Sequence, residues 1–204
     1  MLSVQTLARR IRQRLHDTDK ITYDDDEILD CINNGVRFIR RIIADVRPAL
    51  LMSEYKGVLA EGANSITLTK PPIKIINVTI GNPEKALRET EMATAIYEEY
   101  PYNEPREFYL TGTLTIHFCP APKETTNCTI RTVDDIEELT WESNSPLNTE
   151  FDDFLIEYAT IRLGVGNEYD MTQESQMLAN IVAQIQKIIM PPPAGVIVKG
   201  YWSS

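Results

Sequence analysis

Apolar residues recur at helical spacing near both ends of the chain and at strand spacing between them. Val4, Leu7, Ile11 and Leu15 stand three and four apart, which predicts a first helix with one apolar stripe. A polar turn follows at Asp17–Lys20. Asp24 with Glu27 has the form of a capping box, in which each side chain satisfies a backbone N–H left open at a helix start. Behind it Ile28, Ile32, Val36, Ile39, Ile43 and Val46 continue a long stripe that ends near Pro48.

From Glu54 the period shortens. Tyr55–Ala60 and Ser65–Thr69 are β-prone runs around Glu61–Asn64, and together they predict a hairpin. Ile73–Ile80 is rich in β-branched residues and predicts a strand. Leu87–Tyr100 reads as a short helix, and Tyr100–Pro105 as a loop. Glu107–Leu110 and Thr113–Phe118 read as two strands joined across a Thr-Gly turn, and Asn127–Val133 as another. Asp134–Asn148 is an acidic loop.

Helical spacing returns at Phe151, Phe154, Leu155, Tyr158 and Ile161, with Thr149 and Asp152 placed as a second capping box. Gly164 and Gly166 loosen the chain. Leu178, Ile181, Val182, Ile185, Ile188 and Ile189 then form a last stripe, stopped by Pro191–Pro193. The expected class is α+β: a small α-helical bundle from the N- and C-terminal helices, a β-rich insertion, and an extended C-terminal arm. Expected boundaries are 1–50 with 149–190 for the bundle, 51–148 for the insertion and 191–204 for the arm.

Charge changes this picture more than composition does. The chain of 204 residues carries a net charge of −10. Thr132–Asp170 alone holds a net −10, whereas the first 47 residues hold a net +1. So acidic a chain is poorly suited to gripping duplex DNA, because phosphate neutralisation dominates that affinity. The acidic surplus is read either as a solubilising surface or as one that repels passing DNA. Arg9, Arg10, Arg12 and Arg14 fill the polar surface of the first helix. They are read as a solvated face or as a contact to acidic protein or nucleic acid, and no aromatic residue interleaves them. No run of eighteen apolar residues exists to span a bilayer, and the N-terminus has no apolar signal core, which gives a cytoplasmic expectation.

Candidate chemistry is sparse. G-x-S-x-G, P-loop, G-x-G-x-x-G and H-E-x-x-H patterns are all missing, and Gly164-Val165-Gly166 follows a helix rather than a strand. An EF-hand begun at Asp17 would need Gly at Thr22 and Glu at Ile28. Asp24, Asp25 and Asp26 are read instead as carboxylates complementing a helix N-terminus. Two histidines, His16 and His117, assemble no zinc-ligand spacing. Of the cysteines, Cys31 sits in a helical pattern. Cys119 and Cys128 could face each other across neighbouring strands, with free thiols the favoured reading. No catalytic, metal-binding or cofactor-binding residue is expected, and no enzyme. Val196, Ile197, Val198, Tyr201 and Trp202 form an extended apolar run after the prolines. It suits strand addition to the edge of another sheet, or folds back onto its own β region.

Three stretches resemble the head-to-tail adaptor proteins of tailed bacteriophages, a family including gatekeeper and tail-tube proteins of short-tailed phages. They are the first helix pair LHDTD…TYDDDEILDCINNGVRFIRRIIADVRP, the strands of GTLTIHFCPAPKETTNCTIRTV, and the helix entry SPLNTEFDDFLIEYATIRLG. The resemblance implies a structural virion protein at the head-tail junction, assembled in the host cytoplasm. It implies a dodecameric ring under the portal that extends the DNA channel and carries the tail. Implied partners are further copies of the chain, the portal protein, and a downstream tail or nozzle protein. Genomic DNA would pass without sequence-specific binding, and no membrane is involved. By position, Val196, Ile197, Val198, Tyr201 and Trp202 would form a portal-binding arm. A heterologous ring needs two different patches on each copy, and Arg10 and Arg14 against the neighbour's acidic stretch would supply them. Alternatives are a tail nozzle, a head-completion protein, or a nucleic-acid-binding regulator.

Overall fold

The computed structural model describes residues 1–91, 104–165 and 171–190. Among them are four α-helices and two sheets, with helices towards both termini and strands between, an α+β fold. They fall into two compact units. Met1–Arg47 clusters with the described residues from Leu139 onward, and Pro48–Glu138 forms the other unit.

The helical unit contains α1 (Val4–Arg14), α2 (Asp25–Val46), α3 (Asp152–Val165) and α4 (Met171–Ile189). The α1 and α2 stripes are its core: Val4, Leu7, Ile11, Ile28, Ile32, Val36, Ile39 and Ile43 are all buried. Asp24 caps α2 with both bonds of the capping box. Its Oδ1 accepts from Glu27 N at 2.7 Å, and Glu27 Oε2 accepts from Asp24 N at 3.1 Å. α3 is buried around most of its circumference, since it packs against α1, α2 and α4. Where α2 crosses α3, Gly35 lets the helices approach closely against Leu155 and Tyr158. Ile181, Ile185 and Ile189 turn α4 inwards, whereas Ile188 is 48% exposed, so that residue leaves the expected stripe.

A second capping box at Thr149 and Asp152 does not form. Thr149–Phe151 is a 3-10 turn, the cap position falls on Asn148, and that residue makes no side-chain cap bond. Asp152 is buried instead of reaching back to a backbone N–H. The acidic segment before it is also tied down. Asn33 of α2 grips Leu139 at both backbone groups, donating to its O at 3.2 Å and accepting from its N at 2.8 Å. Further along, Val4 N donates to Ser143 O and Ser145 N donates to Leu2 O.

The other unit holds β1 (Met52–Leu59), β2 (Ser65–Thr67), β3 (Pro72–Ile80), β4 (Lys85–Ala86), β5 (Arg88–Glu89), β6 (Glu107–Thr111), β7 (Thr115–Cys119) and β8 (Thr126–Asp134). One sheet has the order β1-β8-β3-β4 and the other β2-β7-β6-β5. Both contribute to one core, with Leu59, Val78, Ile80, Cys128 and Ile130 from the first and Phe108, Ile116 and Phe118 from the second. The β6–β7 turn is as expected, with Gly112 at φ 64°.

The hairpin expected around Glu61–Asn64 is a corner instead. β1 pairs along its whole length with β8, while β2 pairs with β7 in the other sheet. Gly62, at φ 71°, redirects the chain between sheets, and its N–H donates to Pro122 O. The same division separates Cys119 on β7 from Cys128 on β8, so no disulfide joins them and both are free. The start of the expected Leu87–Tyr100 helix is a strand: Arg88–Glu89 pairs parallel to Glu107–Phe108. The remainder, from residue 92, lies outside the described residues.

Candidate functional site

The basic first helix divides its arginines by chemistry. With ~100° of rotation per residue, Arg9 and Arg12 fall on one flank of α1, and Arg10 and Arg14 on the other. Arg12 is not part of a solvated face, as expected from the pattern, but 5% exposed. Its Nη1 donates to Asp17 Oδ2 at 2.5 Å and to the Tyr23 carbonyl at 2.9 Å, and its Nη2 donates to Asp25 Oδ1 at 2.8 Å. One guanidinium thus fastens the end of α1 to the start of α2.

Asp17 is the other half of this clamp. Its carboxylate accepts from the backbone N–H groups of Ile21, Thr22 and Tyr23 at 2.9, 2.9 and 3.3 Å. Those bonds, the Thr22 amide foremost, hold its pKa below the ordinary 3.8 against the opposing effect of burial, and Arg12 adds to them. The turn needs such support, because His16 and Lys20 both adopt left-handed backbone at φ 56° and 57°. Asp25 is lowered too, by its hydrogen bonds to Lys20 and then Arg12. Two of the three aspartates at the start of α2 therefore have structural work: Asp24 caps, and Asp25 closes the clamp.

Beside the clamp runs a groove of about 440 Å³. Its lining includes Gln5, Ala8, Arg9 and Gln13 of α1 and the half-buried Trp141, with Arg12, Lys20 and Asp25 in the wall. Periodicity does not reveal it, since Trp141 comes from the irregular acidic segment. The tryptophan in a polar stretch was the available signal.

Arg10 and Arg14, the expected subunit-contact residues, are exposed and make no ion pair among the described residues. The expected arm residues Val196, Ile197, Val198, Tyr201 and Trp202 lie outside the described residues. The acidic stretch resolves into distinct roles. Asp134 accepts from the Tyr55 hydroxyl at 2.8 Å and from Thr132. Glu150, Asp153 and Glu157 follow one outer line of α3 and the turn before it. Asp152 is 3% exposed and makes no well-formed hydrogen bond, although Ser145, the Leu2 amide, the N-terminus and Arg10 lie near enough to act on it. Burial outweighs them and raises its pKa. Towards the other end of α3, Arg162 pairs with the buried Glu174, joining α3 to α4.

Thiol chemistry is suppressed where the structure describes it. Burial pushes the Cys128 thiol up to about 11 and raises Cys31 and Cys119 as well. His117, two residues before Cys119, stacks on Tyr109 with ring centroids 4.9 Å apart. These groups are arranged for packing, and the exposed charged surfaces of the helical unit are the stronger candidates for function. None of the curated proteins matches the chain. The family model described as SU10 adaptor protein matches residues 2–194, nearly the whole chain, and the protein belongs to that family.

Proposed function

We propose that this phage structural adaptor assembles as a dodecameric ring beneath the portal, extends the DNA channel and provides the platform for the tail. The observation that carries this reading is the family match over residues 2–194. The charge distribution supports it. Exposed cations on α1 and the exposed carboxylates Glu150 and Asp153 at the start of α3 belong to different elements, as a head-to-tail ring contact requires. Arg10 and Arg14 stand at such a contact, facing the acidic stretch of the next copy. The arm, with Val196, Ile197, Val198, Tyr201 and Trp202, engages the portal. The acidic surplus keeps exiting DNA from adhering, in a virion particle assembled in the host cytoplasm.

The test is the native mass of the full chain mixed with the portal protein of the same genome. One adaptor copy per portal subunit is the expected result, lost on deleting residues 196–204. A ring or tube formed without the portal would move the protein down the tail to a nozzle role. A monomer that ignores the portal would refute the reading.

A further inference from the structure

Each copy carries −10, so neighbouring copies in a ring repel unless their contact places unpaired cations against carboxylates. Such a cation stands in the groove beside α1. Arg12 is held by Asp17 and Asp25, and Lys20 by Asp25 at 2.9 Å. Arg9 is exposed and makes no ion pair among the described residues. Around it the Gln5 and Gln13 amides offer further donors, and Trp141 with Ala8 offers an apolar wall. The groove therefore suits a carboxylate presented next to an aromatic or aliphatic group.

The same chain presents that combination elsewhere. α3 is buried on most sides, and the open arc along it and the turn before it carries the exposed Glu150 and Asp153 and the half-buried Glu157, at spacings of three and four. These three carboxylates also make no ion pair among the described residues. Phe154, half-buried, borders the arc. None of Glu150, Asp153 and Glu157 lines the groove. The Arg12–Asp25 bridge places the groove on the flank of α1 towards α2, whereas Arg10, on the opposite flank, acts on Asp152 at the start of α3. One copy cannot fill its own groove with its own arc.

We infer that the Arg9–Trp141 groove is a subunit socket, and that its occupant is the Glu150–Asp153–Glu157 arc of a second copy of this chain. The inference rests on the ring reading and specifies its contact. Socket and plug are different surfaces, so each copy receives one neighbour and enters another, which generates a ring when the rotation closes. Arg9 meets a carboxylate of the arc, and Phe154 approaches Trp141. Arg10 and Arg14, on the other flank of α1, remain outside the socket and meet carboxylates of the neighbour's acidic stretch other than those of the arc.

The test uses the full chain in sedimentation velocity, alone and with portal. Arg9→Glu is expected to raise the concentration for half-assembly by about tenfold or more, since a close interfacial charge pair becomes repulsive. Adding Glu150→Lys and Asp153→Lys to that variant is expected to restore assembly, because these exposed exchanges rebuild the pair with reversed sign. In parallel, hydroxyl-radical footprinting of the wild-type assembly should show loss of Trp141 oxidation relative to the free chain. Rings formed by Arg9→Glu at the wild-type concentration, or Trp141 equally oxidised in both states, would overturn the socket while leaving the ring intact. A wild-type chain that never assembles, with or without portal, would instead remove the ring reading and the socket together.

Discussion

Replacing Gly35 by alanine tests how closely α2 and α3 are packed. In an unobstructed helix interior the change stabilises by about 1 kcal/mol, because glycine loses more backbone freedom on folding. Here the added Cβ would lie 2.6 Å from Leu155 Cδ1, 2.8 Å from Tyr158 Cδ1 and 3.4 Å from Tyr158 Cε1. Leu155 could turn aside at its flexible end. The Tyr158 ring has less freedom, being 8% exposed and stacked on Phe38 at 4.9 Å between centroids. Overpacking of this kind costs about 1–3 kcal/mol. With the upper part of that range set against the propensity gain, Gly35→Ala should destabilise by about 1–2 kcal/mol. Helical ellipticity during urea unfolding reports the helical unit, which holds all the α-helix among the described residues. At a slope of about 1.5 kcal/mol/M the midpoint should fall by about 1 M. Gly164→Ala is the control: its Cβ would meet only Leu15 Cδ2 at 3.8 Å, so stability should hold or rise slightly. If both variants shifted in the same direction by the same amount, the close crossing would be refuted.

Other expectations follow from single contacts. Asn33→Ala leaves the Leu139 N–H and C=O without their side-chain partner, at a cost of about 1–3 kcal/mol; limited proteolysis should cut faster near residues 139–143, and unchanged cleavage would show that the grip is dispensable. Asp152 is protonated more readily folded than unfolded, so its contribution is full below its ordinary pKa of 3.8 and lost as pH rises through the raised folded value. Asp152→Asn should therefore gain urea resistance over the wild type at neutral pH and lose that advantage in acid; an advantage independent of pH would contradict the burial argument. With its thiol pushed up to about 11, Cys128 should label most slowly of the described cysteines with a thiol reagent at pH 8, and non-reducing mass analysis should find Cys119 and Cys128 unlinked.

The helices of the first unit were legible because burial on one side imposes a period, and Val4 to Ile43 keep it. The Asp24–Glu27 cap was legible because it closes within four residues. Partner choice was not local, and there the reading failed. Strand propensity marked β1 and β2 correctly, but nothing near Glu61–Asn64 states that β1 joins β8 and β2 joins β7. Arg12 looked like its exposed neighbours because its burial depends on a turn that returns Asp17 and the Tyr23 carbonyl to it. Asn33 and Trp141 carried no periodic signal, since their roles depend on where the acidic segment crosses the bundle. Arg10 and Arg14 were recognisable as exposed cations, but sequence alone did not separate their flank from that of Arg9.

The ladder between β1 and β8 bears on how the chain is built. α1 and α2 are synthesised well before α3, so the part of the apolar stripe from Ile28 to Ile43 that α3 covers waits until the intervening strands have been made. Searching for α3 across an open loop of that length would be entropically costly and slow. Pairing Met52 with Val133 and Leu59 with Thr126 closes most of that loop and returns the chain to within a few residues of where it departed. The strand unit then acts as a clasp that shortens the effective connection between the two halves of the bundle. Substitutions that weaken the β1–β8 ladder should therefore slow the docking of α3 even where they leave the final helical packing untouched.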